Sequence, residues 1–105
     1  MALDMKINFD EGKKTWIIEP KGEVDIYTSP KFKEVLTNAL KDKKGDIMIK
    51  GENLNYLDST GLGVLISILK NTKEMEHDII MTDIKPNIKK LFDITGLDKV
   101  FIIKE

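Results

Sequence analysis

One stretch of the chain combines residue types and spacing that could carry chemistry: Asp58-Ser59-Thr60-Gly61-Leu62-Gly63. A serine between an aspartate and two glycines admits three roles: nucleophile, acceptor of a phosphoryl group, or helix cap. Nucleophilic hydrolysis needs glycine two residues before the serine and a histidine base. Leu57 occupies that position, and His77 is the only histidine. A phosphate-cradling GxxxxGK[ST] loop needs lysine after its last glycine, where this chain has Val64. A dinucleotide fingerprint needs a third glycine where Ile66 stands. Zero cysteines exclude disulfides, thiolate catalysis and cysteine metal sites. His77 adjoins a strand in a polar setting, which suits a surface or strand-edge residue better than a metal ligand. Asp25 and Asp58 lack a third ligand, so a solvated acidic patch describes them better than a metal or acid-base pair. No catalytic residue, metal or cofactor is expected, and the chain reads as a non-enzyme.

What remains is a hydroxyl at the mouth of a helix. Serine and aspartate cap helices everywhere, and a structural cap is the commoner role. The two glycines argue the other way, since each costs about 1 kcal/mol against alanine in a helix interior and less near an end. Close approach of another group is therefore expected there. Backbone N–H groups at a helix start favour negative charge, so a phosphate on Ser59 should be tolerated without breaking the helix.

The elements that must hold this stretch follow from the pattern around it. The chain has 105 residues, 41% apolar and 33% charged, enough for one core and one domain, residues 1–105. A net charge of -1 offers no field to attract nucleic acid or an anionic membrane. The longest nearly apolar run, Leu62 to Leu69, falls short of the roughly 20 residues of a membrane helix. No secretion signal opens the chain, so a cytoplasmic location is expected by default.

Met5 to Phe9 alternates with period two and leads through Asp10-Glu11-Gly12-Lys13 into a second strand from Thr15 to Glu19, which Pro20 is expected to end. Thr28-Ser29-Pro30 marks a helix start with hydroxyl caps and an early proline. Phe32, Val35, Leu36, Ala39 and Leu40 then share one helical face. The run Ile47-Met48-Ile49 suggests a mid-sheet strand covered on both faces. Leu54 to Leu57 approaches the serine stretch as a strand or loop. In the largely buried helix that follows, Leu62, Leu65, Ile66 and Leu69 share a face, with Val64 and Ile68 alongside. A strand over 77–82 and a short helix from Pro86, with Ile88, Leu91 and Phe92 on one side and Gly96 at its end, complete the alternation. Val100 to Ile103 forms a last strand or packed tail. The order ββαβαβα plus this segment implies an α/β fold with a mixed, partly parallel sheet and packed helices.

Three blocks give the chain a family likeness. They are Gly22-Glu23-Val24-Asp25 with the helix through Phe32 to Leu40, Tyr56 to Val64 around Ser59, and Ile88 to Leu97. Together they resemble the anti-sigma-factor antagonists of the STAS domain family over nearly the whole chain. The resemblance implies that Ser59 is phosphorylated by a partner that is both anti-sigma factor and serine kinase, and that a PPM-type serine phosphatase removes the phosphate. Only the bare form would bind the kinase and free the sigma factor. It further implies a contact face built from Glu23, Val24, Asp25, Ile26 and Tyr27 together with Asp58, Ser59, Thr60, Gly61 and Leu62. A phosphate adds about -1.5 to -2 charge beside Asp58, which a partner surface fitted to a neutral hydroxyl would reject. A monomer or weak dimer is expected. The alternative within the same fold is a scaffold subunit of a larger signalling assembly or a transporter-associated module. Lys50-Gly51 departs from the aspartate and apolar residue frequent in the family, and Glu76-His77 stands where many members carry glycine before the fourth strand.

Overall fold

The computed structural model describes residues 2–105. Eight polar-apolar alternating residues form β1 (Leu3–Asp10), and a turn in which Asp10 Oδ1 accepts the Lys13 N–H at 3.0 Å returns the chain as β2 (Thr15–Val24). The two strands pair antiparallel in register from Leu3↔Gly22 to Asp10↔Thr15. Then follow α1 (Ser29–Asp42), β3 (Asp46–Lys50), β4 (Leu54–Leu57), α2 (Ser59–Glu74), β5 (Ile79–Thr82), α3 (Pro86–Thr95), a 3-10 turn (Leu97–Lys99) and β6 (Ile102–Lys104). The sheet runs β1-β2-β3-β5-β6 with β4 also on β2, and every pairing after the opening hairpin is parallel. The expected α/β alternation is therefore present. Leu54–Leu57 is a strand and not a loop, and the C-terminal segment is an edge strand of only three residues.

Two strands differ from expectation. β2 continues through Pro20 to Val24. Its first half pairs with β3 as far as Ile18 and its last part with β4 from Gly22, so Pro20 lies in the gap where the missing N–H deprives no ladder partner. The change of partner occurs at a bulge between Gly22 and Glu23. Gly22 has φ 121°, and a Cβ there would lie 2.2 Å from the Ala2 carbonyl oxygen. β3 is mid-sheet as expected, but it is not covered on both faces: Ile47 and Ile49 are fully buried while Met48 between them is half-buried. An unbroken apolar triplet reads alike in either setting, and here Ile17 and Ile80 flank Met48 across the sheet.

One core holds the molecule together. Ile18, Ile49 and Met81 lie in one cross-sheet row, with Trp16, Ile47 and Ile79 in the next. They pack in one cluster with Phe32 and Leu36 of α1, Leu65 and Ile68 of α2, and Ile88 and Phe92 of α3. All three helices thus bury their apolar stripes against the same sheet face. In α2 the buried stripe is Gly61, Leu62, Leu65, Ile68, Leu69 and Thr72, whereas Ile66 is 38% exposed, contrary to the sequence reading. Gly96 ends α3 in the left-handed conformation at φ 75°, as its position implied, and Phe101 then packs edge-on against Phe92 at 5.3 Å. Before β5, Glu76 takes a left-handed φ of 62°. The chain thus makes this turn with a residue less suited to it than glycine. His77 Nδ1 lies 3.1 Å from Asp46 Oδ1 at the strand edge.

Candidate functional site

Two strand-to-helix junctions, β2 into α1 and β4 into α2, lie side by side at one end of the sheet. The bulge at Gly22 brings Glu23 and Val24 into register with Tyr56 and Leu57. Asp58 N–H then donates to the Val24 carbonyl at 3.2 Å, tying the two junctions together.

The first junction is a closed knot. Asp25 Oδ1 accepts from Tyr27 N at 2.9 Å and Thr28 N at 3.0 Å, while Thr28 Oγ1 accepts from Asp25 N at 2.9 Å and donates to the Glu23 carbonyl at 2.7 Å. The Thr28 hydroxyl therefore faces back into the loop and does not cap α1, as the sequence had suggested. Asp25 is 8% exposed, and the hydrogen bond from the Thr28 backbone is the main cause holding its carboxyl below the ordinary value of 3.8. The knot turns Ile26 and Tyr27 outward, at 64% and 84% exposure.

The second junction is open. Asp58, extended at φ -103° and ψ -173°, caps α2 by accepting from Thr60 N at 2.9 Å and Gly61 N at 3.1 Å. Ser59, the first helical residue, is exposed, as is Thr60. The capping role thus belongs to Asp58, leaving the Ser59 hydroxyl free of that duty. Asp58 also takes two of the backbone donors expected to receive a phosphate, so a phosphoryl group on Ser59 would project beside a carboxylate and toward solvent.

The two glycines of the first turn separate cleanly. A Cβ on Gly61 would meet Leu57 Cδ1 at 2.5 Å and Val24 Cγ1 at 2.6 Å, so the expected close approach is real there. A Cβ on Gly63 would meet no other group of the described residues within 4 Å. One turn beyond Ser59 the helix surface is therefore bare, and Ile66, one further turn along, is exposed.

Of the residues expected to form a contact face, Glu23, Ile26, Tyr27, Asp58, Ser59 and Thr60 are brought together at this end of the sheet, whereas Asp25 is corrected: buried at 8% exposure, its carboxylate is taken up by the Tyr27 and Thr28 backbone and it shapes the loop from within. Val24 and Leu62 are corrected: at 0% and 6% exposure their side chains belong to the core and support the face from behind. Gly61 is likewise buried. Sequence reasoning missed Ile66 as a surface residue; its place on the Ser59-Gly63 side, at i, i+4 and i+7, was the available signal. Among the described residues no three His, Asp or Glu side chains converge to hold a metal, and no helix is long and apolar enough to cross a membrane.

The STAS domain model matches residues 6–105. The anti-sigma-B factor antagonist of Staphylococcus aureus strain NCTC 8325 is 33% identical over 103 residues, covering 98% of this chain and 95% of its own length. Among solved structures, an anti-sigma factor antagonist from Mycobacterium paratuberculosis superimposes with a TM-score of 0.82 at 21% identity, over 98% of this chain and 86% of that one. The Bacillus cell fate determinant SpoIIAA in its phosphorylated form gives 0.73 at 19% identity, over 95% and 90% of the two chains. On the match over residues 6–105 and the identity to the S. aureus relative, the chain belongs to the STAS domain family.

Proposed function

We propose that this chain is an anti-sigma-factor antagonist whose unphosphorylated form binds an anti-sigma factor serine kinase, and that phosphorylation of Ser59 ends the binding. The observation that carries this reading is the exposed Ser59 at the first position of α2, with its cap supplied by Asp58 and bare or apolar surface around it at Gly63, Ile66, Ile26 and Tyr27. The name of the S. aureus relative, an anti-sigma-B factor antagonist, supports an anti-sigma factor as the partner.

The physics has two parts. Exposed Ile26, Tyr27 and Ile66 provide apolar area around a small polar centre, the arrangement that concentrates binding energy in a few anchors. A phosphate at Ser59 places about -1.5 to -2 charge and three solvated oxygens in that centre beside Asp58, which a desolvated partner surface cannot accommodate. Because Asp58 holds the helix start independently, the switch changes the surface and leaves the fold in place. A PPM-type serine phosphatase restores the bare form, and the cycle runs in the cytoplasm.

The test measures affinity for the partner kinase by titration calorimetry with wild type, Ser59→Ala and Ser59→Asp. The reading expects Ser59→Ala to bind like wild type and Ser59→Asp to lose about a hundredfold or more, the scale of an unpaired charge buried at an interface. Equal binding by Ser59→Asp would remove the switch.

A further inference from the structure

The sheet has a second face that none of the helices covers. Asn8, Ile17, Met48, Ile80 and Ile102 lie in one cross-sheet row on it, each the register partner of the next. Ile17, Met48 and Ile80 are half-buried and stand outside the core cluster, and Ile102 is 39% exposed. Ile17, Met48, Ile80 and Ile102 therefore form an apolar band facing outward, with Asn8 at its end.

The rows on either side of the band carry opposite charge. Toward one end lie Asp10 and Asp46, register partners of Thr15, with Asp78 N donating to Asp46 Oδ1 at 2.9 Å. Asp78 is itself paired with Lys73. Toward the other end lie Lys6, opposite Glu19 on β2, and Lys50 and Lys104 on either side of Thr82. On β1 the order is thus Lys6-Asn8-Asp10, and on β3 it is Lys50-Met48-Asp46.

We infer that this face is a self-association surface, whose occupant is a second copy of the same chain stacked sheet against sheet. The pattern is self-complementary under one two-fold axis only, the one running across the strands. It seats the apolar band on its own copy, Met48 over Met48, and places Lys50 over the second copy's Asp46 and Lys6 over its Asp10, each contact occurring twice. A two-fold axis along the strands would instead set lysine on lysine and aspartate on aspartate. Strands of the two sheets then run antiparallel within the usual angle of about 30° for aligned sheet packing.

The size of the face sets its strength. Five strands about 4.8 Å apart and three rows of side chains give roughly 24 by 20 Å, or about 960 Å² buried over both copies. That is below the roughly 1,200 Å² of stable complexes, so the dimer is weak and concentration-dependent. Ser59 lies at the start of a helix packed on the opposite face, so self-association and partner docking use different surfaces.

Sedimentation velocity of the full chain from about 10 µM to about 1 mM reads the association. The expected result is a monomer that shifts toward twice its mass as concentration rises, a shift that salt suppresses. Lys6→Glu/Lys50→Glu, at two exposed positions, raises the dissociation constant about tenfold or more with unchanged circular dichroism. On dilution, amide shifts move at Ile17, Met48 and Ile80. Ser59→Asp dimerises as wild type does, which separates this face from the partner switch. A chain that stays monomeric throughout, a double variant that associates unchanged, or a Ser59→Asp variant that no longer dimerises would each overturn the inference.

Discussion

Both helix starts at this end of the sheet carry an aspartate, hydroxyl residues and a small or imino residue in close succession, yet they do opposite things. At Asp25-Ile26-Tyr27-Thr28-Ser29-Pro30 the polar groups face inward, and Thr28 and Ser29 are 9% and 4% exposed. At Asp58-Ser59-Thr60-Gly61 the aspartate faces the backbone and the hydroxyls face solvent. The difference originates in what each aspartate must satisfy. Asp25 closes a loop of four residues, and it needs the Thr28 hydroxyl to bridge Asp25 N and Glu23 O. Asp58 enters its helix directly and meets its donors unaided. A hydroxyl recruited to close a loop is unavailable for modification, whereas one relieved of capping is free for it.

The contrast can be broken from either side. Thr28→Val should have the largest effect, since it leaves the buried Asp25 N–H and Glu23 carbonyl unpaired, a loss of about 2–3 kcal/mol by denaturant melting. A smaller loss would mean the knot is not what fixes the first junction. Gly61→Ala comes next at about 2 kcal/mol, because a methyl must displace Leu57 and Val24, while Gly63→Ala should be neutral or stabilise by up to about 1 kcal/mol. Equal responses would erase the distinction between the packed and the bare glycine. Asp58→Ala removes the cap of α2 and should cost about 1 kcal/mol.

The smallest effect is local and pH-dependent. The folded-state pKa of Asp25 lies below its unfolded value, so its contribution is complete above about pH 4 and is lost as pH falls through the depressed value. Amide exchange at Tyr27 and Thr28 should therefore stay slow in mild acid and accelerate only in stronger acid. Acceleration already near pH 5 would contradict the bonding seen at Asp25.

The alternation of strands and helices was legible because each helix repeats its apolar residues every three to four positions and each strand is bounded by turn residues. Pro20 misled because its cost depends on which neighbour β2 has at that point, and that neighbour changes between Ile18 and Gly22. Met48 misled because whether a sheet face is covered depends on where helices elsewhere in the chain pack. At the site, the position of Ser59 at the helix mouth was readable from Asp58 and the glycines. The assignment of Val24 and Leu62 to the core was not, since only the approach of α2 to the ends of β2 and β4 decides which side of each residue faces solvent. The reversal of the Thr28 hydroxyl likewise depends on a loop closure that spacing does not encode.

The central claim is that the open junction is the modified one. Incubation of wild type, Ser59→Ala and Ser29→Ala with the partner kinase and ATP, followed by mass-spectrometric mapping, tests it directly. The account predicts one phosphate on Ser59 in wild type and in Ser29→Ala, and none in Ser59→Ala. Equal labelling of Ser59→Ala, or phosphate found on Thr28 or Ser29, would contradict it.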